Sequence, residues 1–386
     1  MKLAEELRRA VLQAAIEGKL TGGRRDGWRL VTIGDVFSLK AGKATSVASI
    51  FPEKSEQKCY PCFGGNGIRG YKSEFNEEGI HPIIGRQGAL CGCLNMAEGK
   101  FYATEHAVVV TMLADTNPYF AYYALKAMNL NQYATATAQP GLSVRKILTT
   151  PFPLPPLDEQ RRIVSRLDAI LPLIAELEAA ENELETLERK FPGDMRDALL
   201  QAAIEGRLTG SNTDNWRQVR LGDISSYGEP VTKVSAKNIP ANSWLLDLED
   251  IEKGGRILRH RTAQETKSTG DKAIFHKGDI LFSKLRPYLQ KVVIAPSDGY
   301  CTPELIPFHC FGEIVSQYIV YFLKAPSINY KINSESYGVK MPRVGTKTMK
   351  NLLVLLPPIN EQHKIVSCLN ELLPLCEALG ETVYDA

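Results

Sequence analysis

At 386 residues, 44% of them hydrophobic, the chain is long enough for two or three packed domains, and it holds no run of eighteen apolar residues that could make a transmembrane helix. A formal net charge of +2 excludes a strongly polycationic protein, and eight cysteines without a small-domain framework fit a reducing, cytoplasmic setting. The opening MKLAEELRRA mixes acidic and basic residues and lacks the apolar core of a signal peptide.

In chain order, residues 1–22 read as a short helix, with Leu3, Leu7, Ala10 or Val11, and Ala14 along one face and Gly18 near its end. Residues 23–157 form a first module. Trp28 and Leu30–Asp35 read as an opening strand and turn. The glycine-dense phrases FGGNGIRGY (63–71), IIGRQGALCG (83–92) and FYATEHAVVV (101–110) predict short strands of a curled antiparallel sheet. Tyr119–Met128 is predicted helical and Gln139–Lys146 a loop. Residues 158–210 are a helical spacer: a long helix with Asp158 as N-cap, then a short alanine-rich helix closed by Gly206. Its apolar seam runs Ile163, Leu167, Ile170, Ile174, Leu177, Leu184, with Glu181 breaking the pattern, as suits a coiled-coil partner. Residues 211–358 form a second module, and 359–386 a C-terminal helical spacer. Pro172 and Pro374 are each expected to kink or divide their helix.

The chain repeats itself. Ala10–Ser38 aligns without a gap on Ala198–Ser226, with 18 of 29 positions identical at an offset of 188. Pro357–Cys376 aligns on Pro155–Ile174 at an offset of 202. Two long in-register matches mark a tandem duplication. By these offsets Ala386 corresponds to position 184 and Met1 to position 189, so the two ends together would rebuild the central helical element. The expectation is a cyclic order of helix, module, helix, module about a pseudo-twofold axis. Charge follows the same division: residues 23–157 carry 14 Lys/Arg against 10 Asp/Glu, residues 211–358 carry 20 against 14, and the helical pieces 12 against 20. A polyanion would prefer the modules.

Within the modules, basic, amide and aromatic side chains interleave with the glycine turns. Asn66, Arg69, Tyr71, Lys72, Arg86, Gln87 and His106 in the first, and Lys284, Arg286, Tyr288, Lys291, Lys340 and Arg343 in the second, are the types that read base edges and phosphates. Ordinary surface loops account for any one of them equally well. Cys59-x-x-Cys62 with Cys91-x-Cys93 could ligate zinc, but the second spacing is atypical and the second module has no equivalent. No metal is therefore assigned. Asp35 with Glu56-Gln57-Lys58, and Asp250 with Glu265-Thr266-Lys267, imitate a nuclease D…E-x-K pattern. Among 44 acidic residues such matches arise by accident, and no nucleotide-binding or hydrolase motif is present, so no catalytic residue is assigned.

PLPPLDEQRRIV and LLPPINEQHKIV at the starts of the long helices, LLQAAIEGRLTG at the end of the short one, and YPCFGGNGIRGY, IIGRQGALCG and YGVKMPRVGT in the modules together resemble the specificity subunit of type I restriction-modification systems over the whole chain. The resemblance implies an α+β chain: two target-recognition domains, each a small twisted β-sheet with helices, separated by two long antiparallel helices. It further implies double-stranded DNA as ligand, each domain reading half of a bipartite site while the helices set the spacer. The implied partners are two modification subunits, which would carry S-adenosylmethionine and methylate adenine, and restriction subunits. No membrane partner and no cofactor on this chain are implied. As helix, Asp158–Lys190 would measure roughly 50 Å, enough to hold two modules about one turn of DNA, roughly 10 bp, apart. A DNA-acting enzyme and a coiled-coil adaptor without nucleic-acid function remain the competing readings.

Overall fold

The computed structural model describes residues 2–88, 90–134 and 141–384, and the chain divides into two compact units, Met1–Leu184 and Glu185–Ala386. One continuous helix, Leu157–Ile204, contributes its first part to one unit and its last part to the other. The separate long and short helices expected over 158–210 are thus a single element. Pro172 and Pro374 divide nothing, for Ile359–Tyr384 is also unbroken. A proline removes one N–H and crowds one carbonyl. Here the buried residues on either side of Pro172, Leu167 and Ile174, keep the surrounding turns packed.

In the first unit the N-terminal helix, Leu3–Ile16, runs antiparallel to the first part of the central helix. Arg8 pairs with Glu178 at 2.7 Å, and the free N–H groups of Leu3 and Ala4 donate to the Glu181 carboxylate at 3.0 and 3.3 Å. The residue that interrupts the apolar seam is therefore an acceptor for another helix's N-terminus, where orphan donors and the dipole favour a carboxylate. The buried stripe of the N-terminal helix is Ala4, Leu12 and Ala15, one position round from the predicted face, and Leu3 and Leu7 are exposed. Ala4 and Ala15 let the two helices approach closely, and Leu12 fills the core between them. The seam of the central helix keeps Ile163, Leu167 and Ile174 but leaves Leu184 exposed. Asp158 is not the N-cap: it lies in the first turn, exposed and paired with Arg161 at 3.0 Å.

The strand Arg29–Thr32 pairs antiparallel with Pro151–Leu154 and closes the first module at its base. Inside it, six strands lie in the order Phe37–Ala41, Ala107–Met112, Glu77–Gly85, Leu94–Ala103, Tyr60–Gly64, Gly67–Lys72. All neighbours are antiparallel except Tyr60–Gly64 against Leu94–Ala103, which are parallel because the two intervening strands, Gly67–Lys72 and Glu77–Gly85, run in the same direction. A helix, Pro118–Ala127, capped by Asn117, packs its Phe120, Ala121 and Leu125 into the core with Phe37 and Phe152. The segment read as the loop Gln139–Lys146 contains the start of a helical turn, Val144–Leu148, while Gln139 and Pro140 lie outside the described residues.

The second unit repeats this frame. Arg217–Arg220 pairs with Leu353–Leu356, and the C-terminal helix runs antiparallel to the last part of the central helix: Gly380 packs on Pro192 and Glu361 bonds Ser211 at 2.5 Å. Its module holds a three-stranded sheet (Val292–Ile294, Ile280–Ser283, Leu305–Phe308) and a four-stranded one (Lys233–Ser235, Asp271–Phe275, Gly299–Cys301, Leu245–Leu246). Met1 and Ala386, where the repeat would close, lie outside the described residues.

Candidate nucleic-acid interface

The duplicated frame extends to single hydrogen bonds. Thr21 donates to Glu159 as Thr209 does to Glu361. Buried Gln160 donates to Pro155 O and accepts from Asn117 N–H, at 2.9 and 2.8 Å. Gln362 does the same with Pro357 O and Val315 N–H, both at 2.9 Å. These bonds explain the Glu-Gln pair that opens each long helix: it locks the helix start to the preceding turn and to its own module. Gly206 closes the central helix at φ +74°, with Arg207 N–H on Ala202 O and its own N–H on Ala203 O, a Schellman arrangement.

Inside the modules the same correspondence locates two equivalent surface sites. Ile84 faces Val108 and Leu94 across the sheet, as Phe282 faces Ile306 and Val292. One residue past each strand, Arg86 N–H donates to His106 O and Lys284 N–H to Glu304 O, at 2.9 and 3.0 Å. Arg86 O then accepts from Leu142 N–H, and Lys284 O from Val344 N–H. Next but one comes a left-handed residue in each, Gly88 at φ +95° and Arg286 at +48°. One backbone cradle thus presents Arg86, Gln87, Gly88 and His106 in the first module, and Lys284, Leu285, Arg286 and Glu304 in the second.

In the first module the cradle opens on a cavity of about 450 Å³ lined by Asn66, Arg69, Gln87 and His106 together with Gly65, Gly88 and Leu90. Four predicted residues from three separate phrases converge here. The close approach depends on Gly85, where a Cβ would stand 1.9 Å from Gly65 O. Asn66, Arg69, Arg86 and Gln87 are exposed, and their side chains make no hydrogen bond among the described residues. Three predicted residues do not line the cavity: Arg86, which is exposed on the cradle beside it, Tyr71 and Lys72. Tyr71 is half-buried, its backbone paired with Phe51. Lys72 is turned inward: its side chain is 4% exposed, its ammonium hydrogen-bonds Ser49 and Thr45, pairs with Glu74 at 3.1 Å and lies 3.9 Å over the Tyr102 ring.

In the second module Tyr288 and Lys340 are exposed, and Lys284 and Arg286 half-buried. Lys291 is half-buried: its ammonium donates to Leu248 O at 2.7 Å, and burial pushes its pKa below the usual lysine range. Arg343 is held by Glu304 through two bonds, 3.0 and 3.2 Å, so it braces the loop at Tyr337–Arg343 rather than standing free. Glu304 was not singled out in the sequence, and only its match to His106 in the frame would have found it.

The nuclease-like carboxylates have local duties. Asp35 accepts from the Thr32 hydroxyl and N–H, and Glu265 from the Thr262 N–H and hydroxyl, each at the start of a helical turn, and both carboxyls lie below the ordinary range because of these bonds. Asp250 is buried against Arg261 at 2.8 Å. Among the described residues no group of three His, Cys, Asp or Glu could hold a metal, the four module-one cysteines included.

Two unequal β-modules on equivalent helix pairs, each with a polar cradle at the same place, define a duplicated recognition protein. The type I restriction modification DNA specificity domain matches the chain twice, over residues 25–188 and 213–382, and the chain belongs to this family. It is 48% identical over 137 residues to the EcoprrI specificity subunit of Escherichia coli, covering 36% of this chain and 34% of that one. It is 23% identical over 392 residues to the EcoDI specificity subunit of Escherichia coli, covering 93% of this chain and 84% of that one. A chain from a structural study of complex assembly and conformational transition in the type I R-M system matches over 93% of each chain with a TM-score of 0.50 at 16% identity, and so shares the fold. No helix among the described residues is long and apolar enough to cross a membrane.

Proposed function

We propose that the chain is the non-catalytic DNA-reading subunit of a type I restriction-modification complex, each module recognising one half of a bipartite duplex site. The observation that carries this reading is the shared backbone cradle holding different side chains. A duplicated frame with Arg86, Gln87 and His106 on one copy and Lys284, Arg286 and Lys340 on the other suits a target with two unlike halves. In the first module, amide and guanidinium groups that have no hydrogen-bond partner among the described residues surround an open cavity, with the hydrogen-bonding capacity that base edges in the major groove require. S-adenosylmethionine and adenine methylation belong in this proposal to partner subunits.

The helix pairs supply a docking surface in duplicate. Leu3 and its repeat mate Phe191 are 54% and 51% exposed, Leu7 and Met195 39% and 37%, Leu173 and Leu375 62% and 59%. Apolar side chains exposed at matching places in both repeats fit two copies of one partner, the modification subunit. Restriction subunits would join that assembly.

The similarity to EcoprrI is concentrated in 137 residues, about the length of one module. One half-site is therefore expected to be common to the two proteins. Sequencing the methylated bases in a host that carries this chain with its modification subunits tests the whole reading. The expected result is a bipartite motif sharing one half with that of EcoprrI, and a continuous motif or no methylation would refute it.

A further inference from the structure

We propose that the loop Tyr337–Arg343 of the second module is a wedge that enters a base step of duplex DNA and unstacks it. The inference rests on the DNA-reading function proposed above. The tip is apolar and outward: Val339 is 100% exposed, and Tyr337 and Met341 are also among the exposed large hydrophobics. Its stem is held closed from three sides. Tyr337 and Arg343 exchange both backbone bonds at 2.9 Å, Arg286 N–H donates to Pro342 O at 2.7 Å, and Val344 N–H donates to Lys284 O at 3.0 Å. The Arg343 guanidinium then ties the loop to Glu304. Gly338, at φ +94°, makes the turn that carries Val339 outward.

A rigid stem with an apolar tip would be a solubility liability unless it met an apolar surface. The charges around it identify that surface. Lys340 stands between Val339 and Met341, and Lys284, Arg286 and Tyr288 lie on the segment bonded to the stem. A protein groove that received the tip would have to leave these cations unpaired or supply carboxylates. Stacked bases flanked by phosphates supply both the apolar slot and the negative rim. Met and similar side chains are used in this way by DNA-kinking proteins, at a cost of a few kcal/mol of stacking per step. The wedge would add specificity at steps that are easily unstacked, without a base-edge contact.

The test uses the full chain assembled with its modification subunits on a duplex bearing the methylome-defined site, with 2-aminopurine placed in turn at each position of the second module's half-site. Wild type should give enhanced fluorescence at one step that does not contain the methylated adenine. Val339→Ser/Met341→Ser should lose that signal, keep the signal at the methylated adenine, and bind about tenfold more weakly. Val339→Leu should restore both. No unstacked step in wild type, or a step that persists in the double variant, would overturn the wedge. So would a double variant that no longer assembles with the modification subunits, since the tip would then be a protein contact. A wild-type complex that binds no duplex at all refutes the DNA-reading function itself.

Discussion

Lys72 and Arg69 are three residues apart on one edge strand and have opposite fates. Lys72 is buried among Thr45, Ser49, Glu74 and the Tyr102 ring, whereas Arg69 reaches the open cavity. Lys72→Ala should lower the stability of the first unit by about 2–3 kcal/mol through lost hydrogen bonds, ion pair and ring contact, read as a lower denaturation midpoint. Arg69→Ala should leave the midpoint within about 0.5 kcal/mol and cost about 1–3 kcal/mol of discrimination at one base pair, read by competition binding. The reverse pattern would remove Arg69 from the interface. Lys324 gives a pH signature. It lies among Arg196, Glu377 and the Gly255 backbone, and burial, with Arg196 adding to it, lowers its pKa to about 8. The folded state then binds fewer protons than the unfolded one between about pH 8 and the ordinary lysine pKa of about 10.4, so stability rises with pH across that window. Below it the full cost of burying the charge is present. Lys324→Met should be more stable than wild type at pH 7 by about 2 kcal/mol and should flatten that rise. A titration of the urea midpoint from pH 7 to 10.5 with parallel slopes for the two proteins would refute the assignment.

Among the elements, the sequence was most informative where it repeats and least where burial chooses between adjacent stripes. The Thr-Gly and Glu-Gln phrases recur because they make the same bonds, and both modules open on the same strand pair. Leu3 and Leu7 are more hydrophobic than the alanines of the Ala4–Leu12–Ala15 stripe, and only packing against the rest of the unit reveals that the latter face is inward. Likewise side-chain types alone could not separate Lys72 and Lys291, which look inward, from Arg69 and Lys340, which do not. The prolines do not divide their helices: local preference disfavours them, and packing on both sides carries each helix through. Pro172 is exposed and interior to the helix. Pro172→Ala should therefore regain a backbone hydrogen bond and helix propensity, raising stability by about 1–3 kcal/mol. An unchanged or lower midpoint would mean that the proline's ring is itself needed where it stands.

For the molecule as a whole, the central helix is the covalent link between the two units, and its length is available to measurement. The N-terminal helix is engaged as far along it as Glu181, and the C-terminal helix engages it from Pro192. The stretch between carries Leu184, Leu187 and Phe191, which among the described residues are exposed and lie outside the core clusters that hold Ile163 and Leu200. Four alanines inserted after Leu187 would lengthen the helix by about 6 Å and advance it by little more than one turn. They would leave both cradles, and the Thr–Glu and Gln bonds that hold the modules to their helix pairs, untouched. At about 3.4 Å per base pair, the methylated motif should keep both half-sites while its spacer grows by about one or two base pairs. Because the side chains proposed to read bases sit in the modules and none sits on the inserted stretch, a change in either half-site would show that the helix does more than set a distance. An unchanged spacer with normal methylation would show that something other than this helix fixes the separation of the half-sites.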